Sequence, residues 1–233
     1  MLLYSDARSP VRPLNVGVLL SGCGVFDGAE IHESTLALLE LDRQGANVIC
    51  IAPDRPQREV VDHLTRKAVV ASRNMLLESA RITRGYIRPL SGFLIDDIDA
   101  LVIPGGWGVG KSLCSYLIEG VDCTVDNDVA LLINSLLDAG KPIGAICLAA
   151  VLVARVAGTR GLKPRLTIGS NKKVAADLAA MGAENVVCDE TGIVVDASVK
   201  LVSTPAYMCA TRISQVAFGM EKLVARLLEL ARN

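Results

Sequence analysis

The chain has 233 residues, of which 51% are hydrophobic and 3% aromatic, and its formal net charge is -1. This composition favours one domain of parallel strands covered on both faces by helices over an aromatic-rich β-sandwich. Nothing in this charge balance indicates nucleic acid or an anionic membrane as partner, and the longest apolar stretch, at 145–154, is shorter than the roughly 20 residues of a membrane span. We therefore expect no nucleic acid and no membrane as partner.

Residues 1–14 lack the apolar core of a secretory signal and are interpreted as a disordered leader, at most the remnant of a transit peptide. The seven cysteines are odd in number and scattered, and no CxxC pair or His-Cys cluster has the spacing of a zinc site. This pattern predicts a reducing compartment, either the cytoplasm or the mitochondrial matrix, and no bound metal.

Strand and helix patterns alternate along the first part of the chain, which predicts a strand at 15–20, a glycine-rich loop at 21–24, a helix at 30–43 and a strand at 47–52. A right-handed crossover would place these two strands parallel. The arginine-rich stretch 53–89 departs from the alternation. It is interpreted as a connecting excursion with a solvated face and a helix at 72–81, because acidic residues dilute its charge and no aromatic residues are interleaved as in single-strand binders.

The alternation resumes with a strand at 99–104, a helix at 126–139, a strand at 142–146, a helix at 148–157, a short strand at 166–169, a helix at 173–181, a hairpin of 193–195 with 201–203 and a last helix at 210–231. Strands that alternate with helices are typical of a doubly wound sheet. The prediction is a three-layer α/β fold with a mostly parallel, flavodoxin-like sheet and helices on both faces, formed by one domain over 15–233.

Cys147 stands where the predicted strand 142–146 gives way to a helix. This is the carboxyl edge of the sheet, where ligands of open α/β folds bind. The amides and partial positive charge of a helix N-terminus favour a thiolate there, and small neighbours such as Gly144 and Ala145 allow the sharp turn of a nucleophile elbow. The alternative is a buried structural cysteine. The position of Cys147 favours the reactive interpretation.

Gly105 and Gly106 directly follow the predicted strand at 99–104. Glycine removes the side chain that would block a ligand, so backbone amides can approach one here. The amide of Gly106, together with that of Leu148, would form an oxyanion hole facing the thiol. The alternative is a plain turn at the end of a strand, and only the pairing with Cys147 favours the functional interpretation.

The segment 105–112, GGWGVGKS, also fits the phosphate-loop pattern GxxxxGK[ST]. In such a loop Lys111 would contact phosphates and Ser112 would bind magnesium. No acidic strand end of the Walker-B kind accompanies the segment, and the thiol site is better formed. Nucleotide binding is therefore the weaker hypothesis.

Glu30, His32 and Glu33 begin the first helix, near the end of the first strand and on the same rim as Cys147. A carboxylate beside a thiolate has its pKa raised by like charge and burial, so it can exchange protons at neutral pH. The alternative is that these acids only favour the helix dipole and that His32 is an ordinary histidine. No histidine follows Cys147 in the chain, which disfavours glutamine hydrolysis by a Cys-His-Glu triad.

Six segments of the chain together resemble the ElbB-type subgroup of the PfpI/ThiJ superfamily, whose fold is class I glutamine amidotransferase-like. They are GVLLSGCGVFDGAEIHE, RNMLLESARITRG, LVIPGGWGVGKSL, GKPIGAICLAA, RLTIGS and VSTPAYM. The resemblance runs from about Val16 to the C-terminus. It implies that GGWGVGKS is the glycine-rich oxyanion loop of the family, that Cys147 is the nucleophile and that Glu33 is its carboxylate partner, with the amides of Gly106 and Leu148 at the oxyanion.

The resemblance implies a cofactor-independent glyoxalase that converts small dicarbonyls, such as glyoxal to glycolate, without a metal and often as a homodimer. Glu30 and His32 belong to the same loop-helix junction of the site. Peptidase members have a histidine after the nucleophile where this chain has Leu148, which disfavours peptidase activity. Two alternatives stay open: a redox-sensing or chaperone-like protein with an oxidisable cysteine, and a deglycase for early glycation adducts.

Overall fold

Short aliphatic runs form the strands, since such side chains pack well on a buried pleated surface. The computed structural model describes residues 12–233. Within that range the strands are β1 (Asn15–Leu19), β2 (Asn47–Ala52), β3 (Val60–Asp62), β4 (Lys67–Val69), β5 (Arg88–Pro89), β6 (Ala100–Ile103), β7 (Ile143–Ile146), β8 (Arg165–Leu166), β9 (Glu184–Asn185), β10 (Val194–Asp196) and β11 (Leu201–Thr204). The α-helices are α1 (Ile31–Arg43), α2 (Met75–Ile82), α3 (Tyr116–Glu119), α4 (Asn127–Asp138), α5 (Ala149–Thr159), α6 (Lys172–Ala180) and α7 (Ile213–Arg232).

Seven of the described strands form a central sheet in the order β10-β11-β7-β6-β1-β2-β5. All neighbours pair in parallel except β10, which runs antiparallel to β11. From β1 the chain moves outward to β2, and from β6 it moves the other way to β7, so the strand order reverses between β1 and β6. In open α/β sheets, ligands bind outside the carboxyl ends of the strands at such a point. The predicted doubly wound, mostly parallel sheet is confirmed.

Helices flank this sheet and fix the position of β7. Helices α1 and α7 pack against each other, with α7 lying over β6, β7 and β11, whereas α4 packs against α5, which contacts β7. A Cβ atom on Gly144 would lie 3.0 Å from the side chain of Leu223 in α7, so the glycine allows this helix to come close. Helix α5 is apolar on nearly every side because it is enclosed, with residues 149–154 all buried. The strand that leads to Cys147 is thus held on both faces.

Two helices begin three residues later than predicted, each because a side chain binds the free amides at its start. The side-chain oxygen of Asn74 accepts a hydrogen bond from the amide of Leu77 at 3.1 Å, which sets the start of α2. The side-chain oxygen of Gln215 accepts from the amides of Thr211 and Arg212, both at 3.0 Å, which sets the start of α7. Apolar periodicity does not mark either cap.

Two stretches are more structured than the sequence pattern indicates. The stretch 53–89 contains the antiparallel hairpin β3-β4, helix α2 and the edge strand β5, which joins the central sheet. The stretch 109–122 consists of a π-helical turn (Val109–Leu113), α3 and a 3-10 turn (Gly120–Asp122). Each of these turns is too short for a periodic apolar pattern to reveal it.

The predicted leader at 1–14 lies outside the described residues except for its last three. Among these, the guanidinium of Arg12 donates to the carboxylate of Asp99 at 2.7 Å, and the carbonyl of Leu14 accepts from the amide of Asn47 at 2.8 Å. These contacts hold residues 12–14 against the starts of β2 and β6. Across residues 12–233, none of the helices combines the length and the apolar character that crossing a membrane requires.

Replacing Gly158 in α5 by alanine tests how tightly α5 and α6 pack. An added Cβ would lie 1.9 Å from the carbonyl oxygen of Met181, which is backbone and cannot move aside cheaply. We expect Gly158→Ala to lower the free energy of unfolding by about 2 kcal/mol, despite the gain in helix propensity. Urea unfolding measures this. The neighbouring exposed change Thr159→Ala is the control and should stay within about 0.5 kcal/mol of wild type; equal effects of the two changes would contradict the packing argument.

Candidate active site

The backbone of Cys147 has a left-handed conformation, with φ of 55°, directly after β7. Its amide donates to the carbonyl of Thr204 at 2.9 Å, and its carbonyl accepts from the amide of Ala150 at 3.2 Å at the start of α5. A residue other than glycine is strained in this region, and such strain is typical of the sharp strand-to-helix turn that presents a nucleophile. The predicted elbow is therefore present at Cys147.

Helix α1 places two carboxyl groups at the carboxyl edge of the sheet. Glu30 caps the helix, and its side chain accepts a hydrogen bond from the amide of Glu33 at 2.7 Å. The side chain of Glu33 has no exposed surface, and one of its oxygens accepts from the amide of Gly105 at 2.8 Å. Its other oxygen accepts from the amide of Tyr207 at 3.4 Å. The start of one helix thus fixes both acids.

Cys147 and Glu33 meet across Gly105. A Cβ atom on Gly105 would lie 2.7 Å from the Cβ of Cys147 and 2.7 Å from Oε2 of Glu33, so no other residue fits here without displacing the pair. The next residue, Gly106, has φ of 99°, and a Cβ on it would lie 2.4 Å from the carbonyl oxygen of Gly28. The two glycines therefore allow the loop after β6 to pass between α1 and the thiol.

The environment raises the pKa of both members of the pair. Burial raises the pKa of Glu33 to about 8, the charge of Glu30 adds to this, and the hydrogen bond from Gly105 opposes it. Burial also raises the pKa of Cys147 well above its ordinary value, and the adjacent Glu33 carboxyl raises it further. The amides of Leu148 and Gly106 point at the sulfur and lower the pKa of the thiol, but by less.

Burial acts against the expected ionisation of Cys147 by the helix end. The predicted amide donors at Gly106 and Leu148 do face the sulfur and lower the pKa of the thiol, whereas desolvation raises it by more. The thiol lies beside a buried carboxyl group whose pKa is raised to about 8. Losing one proton from this pair creates the reactive form, whether the remaining proton stays on sulfur or on oxygen.

His32 stands one contact away from the reacting groups. Its Nδ1 atom lies 2.7 Å from the hydroxyl of Tyr207, and Tyr207, not His32, lines the cavity beside Cys147. Sequence reasoning missed Tyr207. Its position three residues after β11, the strand next to β7, is the signal that could have found it.

A cavity of about 340 Å³ opens in front of Cys147, which is 8% exposed. Cys147 lines it together with Glu30, Gly106 and Leu148. Further lining residues come from the loop after β6, α3, α6 and the turn after β11, and they include Trp107, Tyr116, Leu117, Val174, Tyr207 and Met208. Cys147, Gly106 and Leu148 thus reach the same space as the carboxyl groups of Glu30 and Asp177, whereas the fully buried Glu33 is not part of the lining.

The segment that resembles a phosphate loop has other partners. The ammonium group of Lys111 contacts the carboxylate of Glu59, donates to the carbonyl of Phe26 at 3.1 Å and lies 4.7 Å from the centre of the Trp107 ring. The hydroxyl of Ser112 accepts from the amide of Arg58 at 3.1 Å. Among residues 12–233, no three His, Cys, Asp or Glu side chains are grouped so that they could hold a metal ion.

Comparisons with known proteins support this fold. No family model matches the chain. The chain is 40% identical to the human protein named glutamine amidotransferase-like class 1 domain-containing protein 3, mitochondrial. The alignment spans 231 residues and covers 95% of this chain and 85% of that protein. It is 39% identical over 238 residues to the rat ES1 protein homolog, mitochondrial, covering 98% and 87%. The chain belongs to the class I glutamine amidotransferase-like family.

Solved structures agree with this family membership. An isoprenoid biosynthesis protein with an amidotransferase-like domain from Ehrlichia chaffeensis superposes with a TM-score of 0.86 at 35% identity, covering 93% of this chain and 99% of that one. A ThiJ/PfpI domain protein from Brachyspira murdochii superposes with a TM-score of 0.58 at 15% identity over 94% and 99%, which shows the fold alone. The predicted class I glutamine amidotransferase-like fold is confirmed.

Replacing Glu33 in this family member by glutamine tests the buried carboxyl group. Since burial raises the folded-state pKa of Glu33 from 4.5 to about 8, the folded protein keeps a proton that the unfolded chain releases, and wild-type stability falls as pH rises through that window. Glutamine can still accept from the amide of Gly105 and does not ionise. We expect the change in Tm caused by Glu33→Gln to be more favourable at pH 9 than at pH 5, by about 3 °C or more.

Thermal unfolding followed by circular dichroism at both pH values measures this difference. The exposed change Glu221→Gln is the control, for which we expect the same small effect at both pH values. A Glu33→Gln effect that does not depend on pH would contradict the raised pKa of Glu33.

Proposed function

We propose that the protein is a cofactor-independent glyoxalase, which converts a small dicarbonyl to a 2-hydroxy acid with Cys147 as nucleophile and Glu33 as proton carrier. The observation that carries the proposal is the buried Glu33 carboxyl group against the Cys147 thiol, with a pKa raised to about 8. A carboxyl group with such a pKa can both take and return protons near neutral pH. The cavity in front of the thiol admits a small substrate.

In the first step the pair has lost one proton, and the Cys147 sulfur adds to an aldehyde carbon. A carbon–sulfur bond forms, the carbonyl π bond opens, and its electrons become an oxyanion. The amides of Gly106 and Leu148, which point at the sulfur, donate to that oxygen in this proposal. Glu33 holds the proton that the pair retains and can deliver it to the oxyanion, giving a neutral hemithioacetal.

In the second step Glu33 removes the hydrogen on the carbon bound to sulfur as a proton and returns it to the neighbouring carbon through an enediol. The hydroxyl proton on the first carbon passes to the oxygen of the second, so the first carbon becomes a thioester and the second an alcohol. One carbon is oxidised while the other is reduced, and no external electron acceptor is required. Water then hydrolyses the thioester, which frees Cys147. The sum is one dicarbonyl plus one water giving one 2-hydroxy acid.

Low exposure of the thiol separates this proposal from a redox-sensing role. Cys147 is 8% exposed, which disfavours rapid oxidation by peroxide. Leu148 occupies the place of the histidine that peptidase members carry. A deglycase acting on early glycation adducts would use the same thiol with a larger substrate.

The word mitochondrial in the human and rat names supports the mitochondrial matrix as the compartment.

Turnover of glyoxal to glycolate tests the roles of the pair. We expect Cys147→Ala to lower kcat/KM by at least about a thousandfold and Glu33→Gln by at least about a hundredfold, because one removes the nucleophile and the other the proton carrier. Chromatographic detection of glycolate measures the rates. Cys50→Ala, which removes a cysteine from β2, is the control and should keep wild-type activity. Unchanged rates in both site variants would reject the proposal.

The pH dependence of kcat/KM gives a separate test. The reactive form has lost one proton, and burial raises the pKa of Glu33 to about 8, so activity should rise with pH and level off above that value. Initial rates in buffers of constant ionic strength measure the profile. A profile that falls through this range, or that levels off below pH 6, would show that the buried carboxyl group does not control the reaction.

A further inference from the structure

The cavity in front of Cys147 is larger than glyoxal requires. Its volume of about 340 Å³ lies at the lower end of the roughly 300–1,000 Å³ found for sites that enclose ligands of many atoms. Glyoxal has only four heavy atoms. Most of the space would therefore stay filled with water if the two-carbon dicarbonyl were the preferred substrate.

The lining of the cavity is mainly apolar. Trp107, Tyr116 and Leu117 contribute from the stretch 107–117, and Val174 and Met208 contribute from α6 and from the turn after β11. The hydroxyl of Tyr116 donates to the carboxylate of Asp177 at 2.6 Å, so this polar group is already bonded within the protein. Such a surface binds an aromatic or branched aliphatic group by removing apolar area from water.

The charges around the cavity disfavour an anionic substrate. Glu30 lines the cavity and is 8% exposed, and Asp177 also lines it. Lys173 is the cation of this lining among the described residues, but its side chain is 87% exposed and lies 3.9 Å from Asp177. Solvent and Asp177 thus weaken its attraction for a ligand, whereas the partly buried carboxyl groups would repel a negative substituent.

We propose that this site prefers neutral α-oxoaldehydes that carry an aromatic or branched apolar substituent over glyoxal and over anionic analogues. The inference rests on the proposed glyoxalase function and adds its substrate class. The aldehyde carbon lies at the Cys147 sulfur, and the substituent lies against Trp107, Leu117 and Val174. The reaction is the one written above, with the substituent retained on the alcohol carbon of the product.

Three substrates test the preference: glyoxal, phenylglyoxal and phenylglyoxal with a carboxylate in the para position. We expect kcat/KM for phenylglyoxal to exceed that for glyoxal and that for the carboxylate analogue by at least about tenfold each, since the contacts of a single methylene in a fitted pocket already give such ratios. The readout is the 2-hydroxy acid formed, mandelate for phenylglyoxal, because phenylglyoxal also reacts with arginine side chains.

A paired substitution separates cavity shape from intrinsic reactivity. Leu117→Trp places a larger side chain on the cavity wall and should lower the phenylglyoxal-to-glyoxal ratio of kcat/KM at least about fivefold. Leu131→Trp makes the same change on α4, at a side chain that is 67% exposed and outside the cavity lining, and should leave the ratio at its wild-type value.

The outcomes distinguish the two proposals. Turnover that depends on Cys147 but is equal for all three substrates, or a ratio that Leu117→Trp does not change, would overturn the substrate class and leave the glyoxalase function standing. Absence of 2-hydroxy acid from every substrate would overturn the glyoxalase function itself. Faster turnover of the para-carboxylate than of phenylglyoxal would overturn the charge argument.

Discussion

Three segments of the chain converge at Gly105 with no room for a side chain. The loop after β6 supplies the glycine, the first turn of α1 supplies Glu33, and the turn after β7 supplies Cys147. Because β1, β6 and β7 lie side by side in a parallel sheet, the residues that follow them emerge at one edge. The close approach at Gly105 therefore depends on the whole strand order, and in turn fixes the distance between the acid and the thiol.

This arrangement stores unfavourable electrostatics in the centre of the fold. A carboxyl group without exposed surface lies beside a second carboxyl group and a buried thiol, so its pKa rises instead of its charge being paired. The left-handed backbone of Cys147 adds conformational strain at the same place. The enclosed helix α5 and the packing of α7 on β7 provide the apolar burial that offsets these terms. Proteins tolerate such local instability where chemistry requires it.

The sequence was sufficient to predict most strands of the central sheet, their mostly parallel direction and the place of Cys147 and Glu33 at one edge, because apolar runs and glycine punctuation report buried strands directly. The short strands β3, β4, β5 and β9 were not predicted. The sequence was insufficient for the pKa of Cys147, since helix-end amides lower this pKa and burial raises it, and only three-dimensional packing shows how fully the thiol is buried. Tyr207 and the stretch 109–122 escaped prediction because short turns carry no period, although they form much of the cavity wall.

The edge strand β5 has a consequence for how the molecule behaves in a crowded solution. It has only two residues, Arg88 and Pro89, both exposed, and it ends the sheet beyond β2. Proline offers no amide hydrogen and arginine brings a charge, so this border presents almost no template on which a strand of another molecule could add. A short edge strand with an arginine and a proline therefore disfavours aggregation by strand addition at this side of the sheet.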